Sequence, residues 1–308
     1  MRPIITRLLI VLLVTVTVAS AQKRNITEKD LFDFTWIGDP QVSPDGSRVA
    51  FVRITVNEKR DGYDTSIWTI STAGTDEPHR LTSGSRDSSP RWSPDGKYLA
   101  FVRVTEKDGK PDQPQLFMIS MSGGDSFQFT NLPRGASQPV WSPDGKTIAF
   151  ISNTNAEDLA KQRERERALE QLKRAAQQGP APPSAGGQSS SQPAATAAGA
   201  QRSEAEAARE SDVRVITRAV YRSNGAGYLD PKHPQHLWVT KAPKTADERV
   251  TPKQLTTGRF DEENAFWSKD GSQLYFTSSH IDEPYYELPK TDIYSVAVAG
   301  GEPVKLTT

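Results

Sequence analysis

Apolar residues in this chain come in short runs separated by polar turns, and one such arrangement occurs four times. Val42-Ser-Pro-Asp-Gly-Ser-Arg-Val-Ala-Phe51 is followed by Trp92-Ser-Pro-Asp-Gly-Lys-Tyr-Leu-Ala-Phe101, Trp141-Ser-Pro-Asp-Gly-Lys-Thr-Ile-Ala-Phe150 and Trp267-Ser-Lys-Asp-Gly-Ser-Gln-Leu-Tyr-Phe276. Each copy predicts a hairpin. An aromatic or β-branched residue ends one strand, Ser-Pro-Asp-Gly turns the chain, and an apolar run opens the next strand. Proline presets φ, aspartate bonds within the turn, and glycine takes the positive-φ position. Lys269 replaces the proline in the fourth copy, which predicts a less rigid turn there.

A second set of runs repeats behind the first. Ile67-Trp-Thr-Ile70, Leu116-Phe-Met-Ile119, Leu237-Trp-Val-Thr240 and Ile293-Tyr-Ser-Val296 each lead through a polar or glycine turn to Leu81-Thr82, Phe129-Thr130, Leu255-Thr256 or Leu306-Thr307. One repeat therefore holds about four strands, and starts at 42, 92 and 141 lie 50 and 49 residues apart. That spacing is the length of one propeller blade. The predicted class is all-β, with β-propeller blades of four antiparallel strands. Four blades are present, and because four open-ended blades would leave an unpaired edge, they are expected to belong to a larger propeller in a longer protein.

The pattern breaks in two places. Residues 1–21 carry Arg2 and Arg7 around the apolar run Leu8 to Val18, then Ala19-Ser20-Ala21, which predicts a signal peptide cleaved before Gln22. The expected location is periplasmic or secreted, with no membrane association after cleavage. The second break is at 155–210. Asn155 to Gln178 is charged and helix-forming, Gly179 to Gln201 is low-complexity, and Ser203 to Glu210 is again charged. Strand character is expected to return at Val213 to Tyr221. The domains read as 22–154 (blades one and two and the start of three), the helical and disordered insertion 155–210, and 211–308 (the rest of blade three, and blade four). Before the first blade, Thr27 and Asp30 predict a capped helix from Asn25 to Phe34.

Composition narrows the chemistry. Thirty-eight basic and 38 acidic residues cancel, which gives no support to nucleic-acid binding. There is no cysteine, so disulfides and thiolate catalysis are excluded despite the expected export. His233 and His236 have a spacing that suits a metal, but Pro234 between them and the absence of a nearby third ligand argue against one. His79 and His280 read as isolated loop residues. Asp261-Glu-Glu263 reads as a solvated turn, Trp92, Trp141 and Trp267 as packing between blades, and Asn224-Gly-Ala-Gly227 as a flexible turn. No catalytic, cofactor-binding or metal residue is assigned, and no cofactor is expected.

These repeats resemble the propellers of TolB and of the prolyl oligopeptidase family of serine peptidases. Asp39-Pro-Gln-Val-Ser-Pro-Asp-Gly46, Val220 to Asp230 followed by His236-Leu-Trp-Val239, and Asp282-Glu-Pro-Tyr-Tyr286 resemble the acylaminoacyl-peptidase and dipeptidyl-peptidase branch. The resemblance implies a propeller that gates and selects short peptide substrates for a C-terminal α/β-hydrolase domain. No Gly-x-Ser-x-Gly elbow occurs here, since Gly135-Ala-Ser-Gln-Pro139 and Gly187-Gln-Ser-Ser-Ser191 lack the closing glycine. The alternative implied is a stand-alone TolB-like periplasmic propeller that binds protein partners, with a homo-oligomer as a further partner state.

Overall fold

A computed structural model describes residues 24–177, 216, 220–223, 227–282, 285–288 and 290–307. The signal peptide expected at residues 1–21, residues 178–215 and most of the strand expected at 213–221 lie outside these. Residues 216, 220 and 221 carry no strand. The local pairing is instead a small hairpin of β13 (Arg222–Ser223) and β14 (Gly227–Tyr228).

Four four-stranded sheets appear among the described residues. The first holds β1 (Thr35–Val42), β2 (Arg48–Val56), β3 (Tyr63–Ser71) and β4 (His79–Arg80). The second holds β5 (Asp87–Trp92), β6 (Tyr98–Arg103), β9 (Gln115–Ser120) and β10 (Phe127–Gln128), with a hairpin of β7 (Glu106–Lys107) and β8 (Lys110–Pro111) between β6 and β9. The third holds β11 (Ser137–Trp141), β12 (Thr147–Ser152), β15 (His236–Lys241) and β16 (Lys253–Gln254). The fourth holds β17 (Glu262–Trp267), β18 (Gln273–Ser278), β19 (Asp292–Ala297) and β20 (Val304–Lys305). In every sheet the strands lie side by side in chain order. These are propeller blades. β12 pairs directly with β15, from Thr147 with Lys241 to Ser152 with His236, so the residues between them leave the sheet continuous.

The chain divides into two compact units, residues 1–36 with 54–64, and residues 37–53 with 65–308. In the first, the capped helix expected from Asn25 to Phe34 is a 3-10 helix over Glu28–Asp33. Asp30 still reaches back to accept from the Thr27 amide at 2.7 Å, and Arg24 holds the same carboxylate at 2.7 Å. Trp36 packs edge-on against Phe34 and Tyr63, and Arg60 lies over Phe32.

In the second unit the middle strands are buried on both faces, which explains why they read as unbroken apolar runs. Leu99 and Phe101 of β6 join Ile67 of the first sheet in one core cluster, whereas Ala100 and Val102 join Ile148 and Phe150 of the third in another. Ala149 and Ile151 then face Leu274 and Phe276 of the fourth. Alternate side chains of a strand point to opposite faces, so one apolar run supplies two inter-blade cores. Each fully buried Leu, Ile or Phe side chain contributes about 1.5–3 kcal/mol.

The short outer strands end on a repeated device. The amides of Ile67, Leu116, Leu237 and Ile293 donate to the hydroxyls of Thr82, Thr130, Thr256 and Thr307 at 3.1, 2.8, 3.0 and 3.2 Å. The Leu-Thr closures thus satisfy the amides where each outer ladder stops.

The hairpin turns show the expected glycines, with φ of +72°, +69°, +67° and +72° at Gly46, Gly96, Gly145 and Gly271. The fourth turn, without proline, has the same geometry. Serine is the reason. In each copy it donates to the turn aspartate at 2.6 Å and accepts the amide five residues on at 2.9–3.0 Å. Proline has another role: β-carbons placed on Gly96, Gly145 and Gly271 would sit 3.7, 3.5 and 3.7 Å from the rings of Pro44, Pro94 and Pro143 in the preceding sheets. The proline rings thus lie beside the turn glycine of the next blade.

α1 (Ala156–Gln177) rises from the end of β12. Asn155 accepts the Asp158 amide at 2.9 Å, and Asp158 accepts the Asn155 amide at 3.1 Å, a reciprocal cap. Leu159 packs on the core between blades two and three, and Gln162 donates to Asn131 O at 3.0 Å, while Leu169 and Leu172 are exposed.

Candidate functional site

The first strand of each sheet carries a proline or polar residue where a regular ladder would not. Pairing steps from Ser88–Val102 to Arg91–Ala100, from Ser137–Ile151 to Val140–Ala149, and from Glu263–Thr277 to Phe266–Tyr275, so each of β5, β11 and β17 holds one extra residue. In each bulge one non-glycine residue is left-handed: Ser89 at φ +52°, Gln138 at +52° and Asn264 at +54°. Asp39, at the equivalent place in β1, has φ +45°. All four stand three residues before the head residue Val42, Trp92, Trp141 or Trp267. Sequence reasoning missed them, although a signal was present. Pro40, Pro90 and Pro139 follow three of them, and proline inside a strand marks an edge or a bulge.

These strands are the edges of their sheets, and along them neighbouring blades meet: β5 approaches β11, and β11 approaches β17. The edges are tied together. Asp39 and Arg91 form an ion pair at 2.7 Å across the first two blades, Gln41 donates to Asp39 at 2.7 Å, and Arg91 also donates to Pro90 O at 2.7 Å. Trp92, Trp141 and Trp267 donate their indole N–H to Gln41 O, Arg91 O and Val140 O of the preceding blade, each at 3.0 Å. The tryptophans are half-buried and act as inter-blade ties through a hydrogen bond as well as through packing.

The ends of the same strands hold buried charge. Asp87, fully buried, meets Arg103 through two hydrogen bonds of 2.7 and 2.9 Å. At the equivalent place in blade four stands Glu262, and here the solvated-turn reading of Asp261-Glu-Glu263 is corrected. Asp261 and Glu263 are exposed, but Glu262 is 5% exposed and accepts from the Leu237 amide at 3.1 Å and from the Thr256 hydroxyl. It is a structural bridge between blades three and four. Strand alternation turns the middle carboxylate inward while its neighbours face out.

The histidines separate. His236 is buried in β15 with Nδ1 3.6 Å from Glu262, whereas His233 lies in the loop before it, its Nδ1 2.7 Å from Asp230 and its Nε2 3.4 Å from Asp158. Arg134 reaches both of those aspartates at 3.1 and 3.4 Å, so the cluster fastens the base of α1. Among the described residues no group of three or more His, Asp or Glu is placed to hold a metal ion. His79 lies exposed in β4. His280 is exposed but not isolated, being stacked between Phe260 and Tyr294 at 4.4 and 4.6 Å.

The turn aspartates are held as anions. The Ser43 and Ser268 hydroxyls, followed by the Ser47 and Ser272 amides, pull the Asp45 and Asp270 carboxyls down to about 2. Asp95 and Asp144 are lowered by the same serine contact. Along the first-strand edges, polar side chains thus stand on strands that are tied to one another.

The chain matches the family model described as TolB beta propeller domain over residues 13–187. The uncharacterized peptidase YuxL of Bacillus subtilis (strain 168) is 36% identical over 113 residues, which are 37% of this chain and 17% of that protein. Among solved structures, the Pyrococcus horikoshii acylaminoacyl peptidase in its orthorhombic crystal form aligns over 92% of this chain with a TM-score of 0.57 at 16% identity. An acylaminoacyl peptidase in complex with Z-Gly-Gly-Phe-chloromethyl ketone aligns over the same share at 0.55 and 15%. The chain spans 34% of the length of each of these two peptidases, and the likeness is one of fold. With the repeated blades and a family match across more than half its length, the chain belongs to the TolB β-propeller domain family.

Proposed function

We propose that this propeller is the part of an exported serine peptidase that admits and selects short peptides for a C-terminal α/β-hydrolase domain. It does no bond-breaking itself. The observation that carries the reading is a four-blade fold like that of acylaminoacyl peptidases in a chain that is also 36% identical to a peptidase over 113 residues. The tied first-strand edges supply the selecting surface, and binding energy remote from the scissile bond supports hydrolysis elsewhere. Export follows from residues 1–21, so the secreted product should begin at Gln22. The test is hydrolysis of a graded series of peptide lengths by the product of the complete gene. Rates should fall with length, Arg91→Ala should relax that dependence by loosening the Asp39 tie, and the 308-residue chain alone should hydrolyse nothing. Length-independent hydrolysis, or cleavage by these 308 residues, would overturn the reading.

The family match itself favours a second reading, a periplasmic TolB-like propeller that binds protein partners. Under it the 308-residue chain melts cooperatively as a monomer or homo-oligomer and co-elutes with a periplasmic protein, and the complete gene encodes no Gly-x-Ser-x-Gly segment.

A further inference from the structure

We infer that the bulged first strands form a receptor for the main chain of an extended, uncharged peptide, with Ser89, Gln138 and Asn264 as its contacts and the Asp39–Arg91 pair closing one side. The inference rests on the peptide-handling role proposed above and names the ligand class that these edges fit.

Three observations converge. The first is repetition: a non-glycine residue stands in the left-handed region at the same place in all four blades. Glycine would be free of strain there, yet the positions hold Asp, Ser, Gln and Asn, each with a hydrogen-bonding side chain. The second is availability. Neither Ser89 nor Gln138 uses its side chain to bond another described group, Gln138 is exposed, and the exposed Asn264 amide bonds only the Thr277 hydroxyl, at 3.0 Å. A bulge re-aims a side chain at a cost to the ladder, and here two of the re-aimed groups, Ser89 and Gln138, bond no other described group. The third is position. They occupy the free edges of strands that the inter-blade indole bonds hold in fixed relation.

The donor set selects the ligand. A side-chain amide carries a donor and an acceptor, as a peptide group does, and a serine hydroxyl serves as either. Such groups match main-chain N–H and C=O whatever the peptide's sequence. Asp39 and Arg91 already satisfy each other, so that pair offers a ligand no free charge. The receptor thus takes neutral, extended backbone.

Titration calorimetry of the 308-residue chain with acetyl-tetraalanine amide tests this, with the fully N-methylated analogue as the comparison. The parent peptide should bind, with no change on raising salt, and N-methylation should weaken binding more than tenfold. Gln138→Gly and Asn264→Gly should each weaken it about threefold to tenfold, one hydrogen bond's worth, while raising the melting temperature because glycine accepts these φ values. Equal binding of the methylated peptide, unaltered binding by both glycine variants, or no binding of the parent at millimolar concentration would each overturn the receptor. Length-limited hydrolysis by the complete gene product would still stand in those cases, so the two readings fail separately.

Discussion

The Ser-Pro-Asp-Gly turn assigns most of its stability to the serine, and Ser142→Ala measures that. Ser142 is 3% exposed and closes the turn with four bonds. Its amide donates to Thr147 O at 2.8 Å, its carbonyl accepts from Gly145 at 2.9 Å, and its hydroxyl donates to Asp144 at 2.6 Å and accepts from the Thr147 amide at 2.9 Å. Alanine removes the last two. An amide left unpaired in a buried setting costs about 1–3 kcal/mol, whereas the exposed Asp144 carboxylate finds water and adds only about 0.5 kcal/mol. The sum is about 1.5–3.5 kcal/mol. Pro143→Lys reproduces what Lys269 does naturally in the fourth turn, where the bonds and the glycine φ are unchanged. It forfeits the ring contact with Gly271 and some unfolded-state stiffness, about 1 kcal/mol together. Equilibrium urea unfolding of both variants with unchanged slopes is the assay. A Ser142→Ala loss below about 0.5 kcal/mol, or a larger loss for Pro143→Lys than for Ser142→Ala, would refute the reasoning.

Breaking the buried Asp87–Arg103 pair with Asp87→Ala should cost about 3–5 kcal/mol, because Arg103 keeps its charge with its side chain only 14% exposed. Replacing both, as Asp87→Leu with Arg103→Met, should recover most of that, and thermal melts of the three proteins check it. Trp141→Phe removes the indole bond to Arg91 O while keeping most of the packing, so a loss of about 0.5–1.5 kcal/mol is expected from chemical unfolding. Asp45 and Asp270 have folded pKa values depressed to about 2, below the ordinary carboxyl near 4. Their contribution is therefore present above about pH 4 and is lost as the pH falls toward 2. A pH series of melts should show that decline, and Asp45→Asn with Asp270→Asn should flatten it.

Local chemistry alone made much of the fold legible. Four turns with glycine at a positive φ, four apolar runs behind them and closures of Leu-Thr or, once, Phe-Thr, spaced about 50 residues apart outside the insertion, identify propeller blades, because a hairpin turn, a strand and a ladder end are each set by a few adjacent residues. The charged segment after Asn155 likewise reads as the helix that it forms, with its cap residues in place. Tertiary structure decided the rest. Whether Glu262 is solvated depends on which way strand β17 turns it, and that is fixed by the Thr256 hydroxyl and Leu237 amide of another blade. Pro44, Pro94 and Pro143 look like turn residues, yet the prolineless fourth turn has the same glycine φ, and only the packed blades place their rings beside the next blade's glycine. The candidate site is the clearest case. Asp39, Ser89, Gln138 and Asn264 are unremarkable polar residues in sequence. Only the pairing of each first strand with its neighbour creates the bulge that holds them left-handed, and only the stacking of blades brings those edges together. A sequence specifies its turns and strands through contacts a few residues long, but a surface assembled from residues 49 to 126 apart exists only once the blades have packed.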